Sequence, residues 1–249
     1  MSHHHVTAVA GWSWLGAGWR RFRRAPAHWL LITGLLGALS AGLTLIPQSG
    51  PFLVALVGPT LFGSLLASAG ETGGRPTLYR AVVAMRQVRT TGRLLTLGLI
   101  PLLGSAILWG AADPLLGIPF GTELVFGASE LVIRVRPLGA FLFLALTVTV
   151  MLAVWACLLF AIPQVIHARA TIGQALRTSL SAVHDNLGAF LVFFVTQAVL
   201  ALLAVMAFGL GLLVLVPVLA GAVMAAHDCL FASSMTDASP RRGSGRCED

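Results

Sequence analysis

Residues 28–70 read HWLLITGLLGALSAGLTLIPQSGPFLVALVGPTLFGSLLASAG, 43 consecutive positions without one Asp, Glu, Lys or Arg. A membrane-spanning helix needs about 20 predominantly apolar residues, so this block is long enough to cross a bilayer twice. Its middle, Pro47-Gln48-Ser49-Gly50-Pro51, suits a turn better than a helix interior, because proline lacks the backbone N–H and glycine tolerates tight geometry. The block therefore divides into two spans, over 29–46 and 52–69.

Three further stretches, 94–112, 137–168 and 186–227, are equally free of formal charge. The last divides around Gly209 and Gly211 into spans over 187–208 and 210–226, with a re-entrant hairpin as the alternative reading there, since non-helical backbone at membrane depth must be buried in protein. With single spans over 94–112 and 137–162, the expected fold is an all-α membrane protein of six transmembrane helices. Residues 28–231 form that domain, residues 1–27 an interfacial amphipathic segment, and residues 232–249 a disordered tail. Composition agrees: 57% hydrophobic and 10% charged residues, with a mean hydropathy of +0.89, lie far from the roughly 25% charged residues of a soluble domain.

The N-terminus is not read as a cleaved signal, because arginines precede an apolar run uninterrupted by a small-residue cleavage site before Ile46. Cysteines at 157, 229 and 247 do not make a disulfide framework.

All 16 basic residues are arginine, and their placement sets the orientation. Fourteen fall on one side of the six-span scheme: Arg20, Arg21, Arg23 and Arg24 before span one, five between spans two and three, Arg169 and Arg177, and three in the tail. Only Arg134 and Arg136 lie on the other. Arginine-rich loops are retained in the cytoplasm, so both termini are expected there. The 113–136 loop is then the external segment.

A short amphipathic segment precedes each pair of spans. In the first, Trp12, Leu15, Trp19 and Phe22 recur at helical spacing beside Arg20, Arg21, Arg23 and Arg24. The second has a stripe of Arg86, Arg89 and Arg93, and the third an apolar stripe of Ile172, Leu176, Leu180 and Val183. Such segments lie at the membrane surface, their arginines on anionic lipid headgroups. Arg20, Arg21, Arg23, Arg24, Arg86, Arg89 and Arg93 are the candidate headgroup contacts. Pro59-x-x-x-Gly63 and Pro217-x-x-x-Gly221 recur in spans two and six. The chain thus reads as three parallel repeats of one interfacial helix and two spans, or, more plainly, as a polytopic protein that alternates spans with basic loops. Small residues four apart, Gly37 with Ala41 and Gly63 with Ala67, suit close helix packing.

Intramembrane ionisable groups mark most proton and ion pathways, and none stands at mid-depth here. Gln197 is the deepest strongly polar side chain, followed by Thr147 and Thr149, all three read as interhelical hydrogen-bonding groups. His227-Asp228-Cys229 contains ligand-type residues, but neighbours on a helix point in different directions. No catalytic or metal motif such as Gly-x-Ser-x-Gly, a Walker loop, His-Glu-x-x-His or Cys-x-x-Cys occurs. No cofactor or metal is expected, and the net charge of +7 is assigned to lipid rather than to nucleic acid because it flanks the spans.

Gly11-Trp12-x-Trp14-x-x-x-Gly18-Trp19-x-x-Phe22-Arg23-Arg24-x-Pro26-x-x-Trp29-Leu30, the Ile46-Pro47 to Gly50-Pro51 turn, Gly74-Arg75-Pro76, the Asn186-to-Phe190 entry to span five and Ala226-His227-Asp228-x-x-Phe231 together resemble an uncharacterised proteobacterial inner-membrane protein family with six helices. Its plan is similar to the membrane domain of some glycerophosphodiester phosphodiesterases. The resemblance covers nearly the whole chain and implies a bacterial inner-membrane location, with no catalytic residues to carry over. This chain has Ala226-His227 where that family often has an aromatic residue and an arginine. The expected role is that of a non-enzymatic accessory or assembly factor contacting lipids or a membrane-protein partner. The alternative is a transporter or permease for a lipid or weakly polar solute, with a cavity near Gln197 and Thr147.

Overall fold

The turn inside residues 28–70 closes over 45–49, where Gln48 takes a left-handed φ of 60° and Gly50 N–H donates to Ile46 C=O at 3.0 Å. It joins α2 (Pro26–Thr44) to α3 (Gly50–Ala69). Pro26 starts α2 at a position where a missing N–H costs nothing. A computed structural model describes residues 9–69, 88–116, 137–167 and 170–231, with isolated positions 79 and 83. Among the described residues there is no strand.

α1 (Ala10–Arg24) precedes this hairpin. After it come α4 (Val88–Leu97), α5 (Leu99–Leu116), α6 (Pro137–Leu158), α7 (Ala161–His167), α8 (Ile172–Asp185), α9 (Leu187–Met206) and α10 (Leu212–Phe231). Among the described residues six stretches are long and apolar enough to cross a membrane: Pro26–Thr44, Gly50–Ser68, Thr90–Leu116, Pro137–Ile166, Leu187–Met206 and Leu212–Phe231. The shortest has 19 residues, about 28 Å of helix at 1.5 Å per residue, close to the ~30 Å hydrocarbon core. The chain is an all-helical multi-pass membrane protein. Residues 207–211, with Phe208 and Gly209 at φ 55° and 75°, are a turn between two 20-residue helices.

α10 is the innermost span, buried along most of its length and enclosed by α1, α2, α3 and α9. α5 pairs with α6, and α3 with α4 and α5. The outward surface is apolar: Leu31, Leu35 and Leu39 on α2, Phe141 and Leu144 on α6, and Val195, Val199 and Leu202 on α9 are exposed. That distribution suits a bundle whose surroundings are hydrocarbon.

The sequence of short helix, span, span recurs. α1, α2 and α3 have 15, 19 and 20 residues, and α8, α9 and α10 have 14, 20 and 20. Two of the described short helices also pack on the spans of another pair, α1 on α9 and α10 and α8 on α6 and α7, while α4, most of it inside the third span, packs on α3. The two Pro-x-x-x-Gly sequences belong to these seats: Gly221 faces Gly18 of α1, and Gly63 faces Leu94 of α4. Gly37, by contrast, has no neighbour among the described residues where a side chain would point, so it forms no packing seat with them.

Candidate functional site: a docked basic helix

The four aromatic and apolar residues that recur at helical spacing in α1 differ in exposure. Leu15 and Phe22 are buried together with Trp14, whereas Trp12 and Trp19 are exposed. The buried face is cut to backbone. At Gly18 a Cβ would run into Val218 C=O and Ala222 N–H of α10, and at Gly11 into Ala189 C=O and Phe193 N–H of α9. In both seats the two backbone groups stand four residues apart, so each glycine rests on one helical turn of its partner. Trp14 fills the space between them, edge-on to Phe193 with ring centroids 6.0 Å apart.

Arg21 joins the last turn of α1 to α10. Its guanidinium donates to Gly221 C=O at 3.4 Å and to Asp228 Oδ2 at 3.3 Å. His227 Nδ1 lies 3.7 Å from Asp228 Oδ1, and the imidazole packs against Phe231 with ring centroids 5.0 Å apart. The expected headgroup arginine Arg21 is therefore turned to protein. Arg20, Arg23 and Arg24 remain exposed, as do Trp12 and Trp19. An indole ring has an apolar body and a polar edge and settles at the level of lipid headgroups. At about 100° per residue Arg23 falls beside the two indoles, with Arg20 and Arg24 further round the exposed surface of α1.

The other expected site residues are scattered. Arg93 on α4 donates to Ala170 C=O at 3.1 Å, tying α4 to the start of α8. Arg89 is in α4 with its side chain outside the described residues, as is Arg86 altogether. The Thr147 and Thr149 hydroxyls donate to Phe143 C=O and Ala145 C=O, each at 2.8 Å. They bond within α6 rather than between helices. Gln197 is half-buried on α9, and its enclosed Oε1 has no partner among the described residues. Among the described residues no three His, Cys, Asp or Glu side chains gather as a metal site.

Two features escaped the sequence reading. The first is Ser179, fully buried on α8, whose hydroxyl donates to Ala156 C=O at 2.7 Å and accepts from Phe160 N–H at 3.2 Å. The available signal was the small row Ala175, Ser179 and Ala182, which forms the docking face, while the larger Leu180 is exposed. The second is a partly open cavity of about 350 Å³ among α3, α5, α6, α7 and α10, bordered by Gly58, Pro59, Pro101 and Trp155. Neither Gln197 nor Thr147 lines it. The two prolines mark it because each withholds an N–H from the carbonyl four residues earlier and loosens the local turn.

No protein-family model matches the chain, nor does any curated protein or solved structure.

Proposed function

We propose that the chain is a non-enzymatic accessory or assembly factor of the bacterial inner membrane, with both termini cytoplasmic, acting through anionic lipid and a membrane-protein partner. The observation that carries this reading is α1 itself, whose Trp12, Trp19, Arg20, Arg23 and Arg24 are exposed while Gly11 and Gly18 seat the helix on α9 and α10. A helix held in this way presents its charge in a fixed orientation. Attraction of a basic side chain to an anionic surface contributes about 1 kcal/mol per residue.

The test is extraction of the full chain in native-lipid discs, followed by analysis of everything retained. Enrichment of anionic over zwitterionic phospholipid is expected. Replacement of Arg20, Arg23 and Arg24 by glutamine should remove most of it, with a ceiling of about a hundredfold for ~3 kcal/mol. A stoichiometric protein partner would support the accessory role. Solute movement into vesicles holding only the purified protein would overturn it in favour of a permease, the second reading, which the cavity beside Pro59 and Pro101 favours.

A further inference from the structure

α3 changes character along its length. At Gly63 a side chain would meet Leu94, Ile166 and Ile162, whereas at Gly58 it would meet nothing within 4 Å. The space beside Gly58 is the cavity, bounded on α3 by Val54, Ala55, Pro59 and Phe62. Trp155, Leu158 and Ile162 form the facing wall, and Val216 and Leu219 of α10 close the inner side. Among the described residues, every one that borders the cavity belongs to one of four spans, and none of their side chains is charged or carries a hydroxyl, Trp155 alone bringing an N–H.

What fills such a space follows from size and chemistry. Water needs two to four polar partners in a cavity, and this lining offers little beyond the Trp155 indole N–H and the Ala55 carbonyl that Pro59 leaves without its helical donor. Emptiness would forfeit the dispersion contacts of the lining atoms. The material at bilayer depth is hydrocarbon, and the volume of about 350 Å³ falls within the ~300–1,000 Å³ of ordinary ligand cavities. We infer that this cavity is a binding site for a single acyl chain of a membrane phospholipid, entering from the bilayer between α3 and α6. The site is separate from the headgroup face of α1, so either can fail without the other.

The test uses the full-length protein in bilayer discs containing a phospholipid with a photoreactive diazirine at mid-chain. Crosslinks are expected in peptides covering 54–62 and 154–162, saturating as the probe is raised. Labelling of the outward α2 surface should instead rise in proportion to probe. Gly58→Trp, which places an indole in the open space, should lower the cavity crosslinks at least tenfold and leave α2 labelling unchanged. Gly37→Trp, on the exposed surface of α2, should leave the cavity crosslinks as they are. Proportional labelling at 54–62 that is indifferent to Gly58→Trp overturns the site. If Gly58→Trp fails to fold, saturation in the unaltered protein decides alone. Displacement by free fatty acid, but not by unlabelled phospholipid, overturns the assignment to a phospholipid chain.

Discussion

Ser179 on α8 holds open one turn of the fourth span, its hydroxyl standing between Phe160 N–H at 3.2 Å and Ala156 C=O at 2.7 Å. In an uninterrupted α-helix those two groups would bond to each other. A side chain inserted into the ladder is one of the few physical causes of a helix break. Pro163 adds to it by offering Leu159 C=O no N–H. The ladder resumes at once, Gln164 N–H donating to Phe160 C=O at 3.1 Å. α8 is thus part of the span it touches.

Ser179→Ala should therefore destabilise the protein although it removes a single oxygen. A buried N–H and a buried C=O lose their partner, and an unsatisfied buried group costs about 1–3 kcal/mol. Thermal unfolding in detergent, followed by near-ultraviolet circular dichroism, is expected to show a lowered midpoint. An unchanged midpoint would mean that the turn recloses without α8.

Gly18→Ala and Gly11→Ala should each loosen α1, because the added methyl meets backbone rather than a movable side chain. Overpacking typically costs about 1–3 kcal/mol. A cysteine placed at buried Leu15 should become reactive to a thiol reagent in either variant. Gly37→Ala, with open space around it, should leave that cysteine protected.

The Arg21–Asp228 pair should contribute little to stability. The side chains are 27% and 52% exposed, and ion pairs of this kind are worth about 0–1 kcal/mol. A double-mutant cycle of Arg21→Gln and Asp228→Asn is expected to give a coupling in that range. A coupling above ~2 kcal/mol would place the pair in a far drier setting than its exposure implies.

Anionic lipid retention should fall with salt, and less steeply once Arg20, Arg23 and Arg24 are replaced. Exposed charges lose most of their attraction beyond a Debye length, which shortens from about 10 Å at 0.1 M to about 3 Å at 1 M salt. Lipid analysis after washes at those two strengths checks this. Equal retention at both would show that these arginines do not hold the lipid by charge.

Class and span number were legible in the chain because charge exclusion from hydrocarbon is written residue by residue. Uncharged runs of this length lie in the bilayer, and the break between the first two spans had to fall near Pro47, although Gly50 and Pro51 already belong to α3. The short helices were legible as amphipathic, but not the faces they use. Leu15 and Trp19 belong to the same helically spaced series, yet one is buried and the other exposed. Apolarity alone does not distinguish lipid from protein as a partner in a membrane. Glycine and serine were the better guides. They mark where backbones touch, but only once the opposing backbone is known.

The sequence by itself determined that this is an all-helical membrane protein of six spans, with its arginines gathered beside them. The physical reason is local: each residue's transfer energy into hydrocarbon, summed over about 20 positions, decides whether a segment crosses. Only the tertiary structure decided that α1 seats Gly18 against α10, that Arg21 turns inward to Asp228, that Ser179 enters the fourth span, and that space remains beside Gly58. Those outcomes depend on which helices meet and at what separation. Apolar surfaces alike in lipid and in protein leave that choice to shape, so it emerges only when all the helices are packed together.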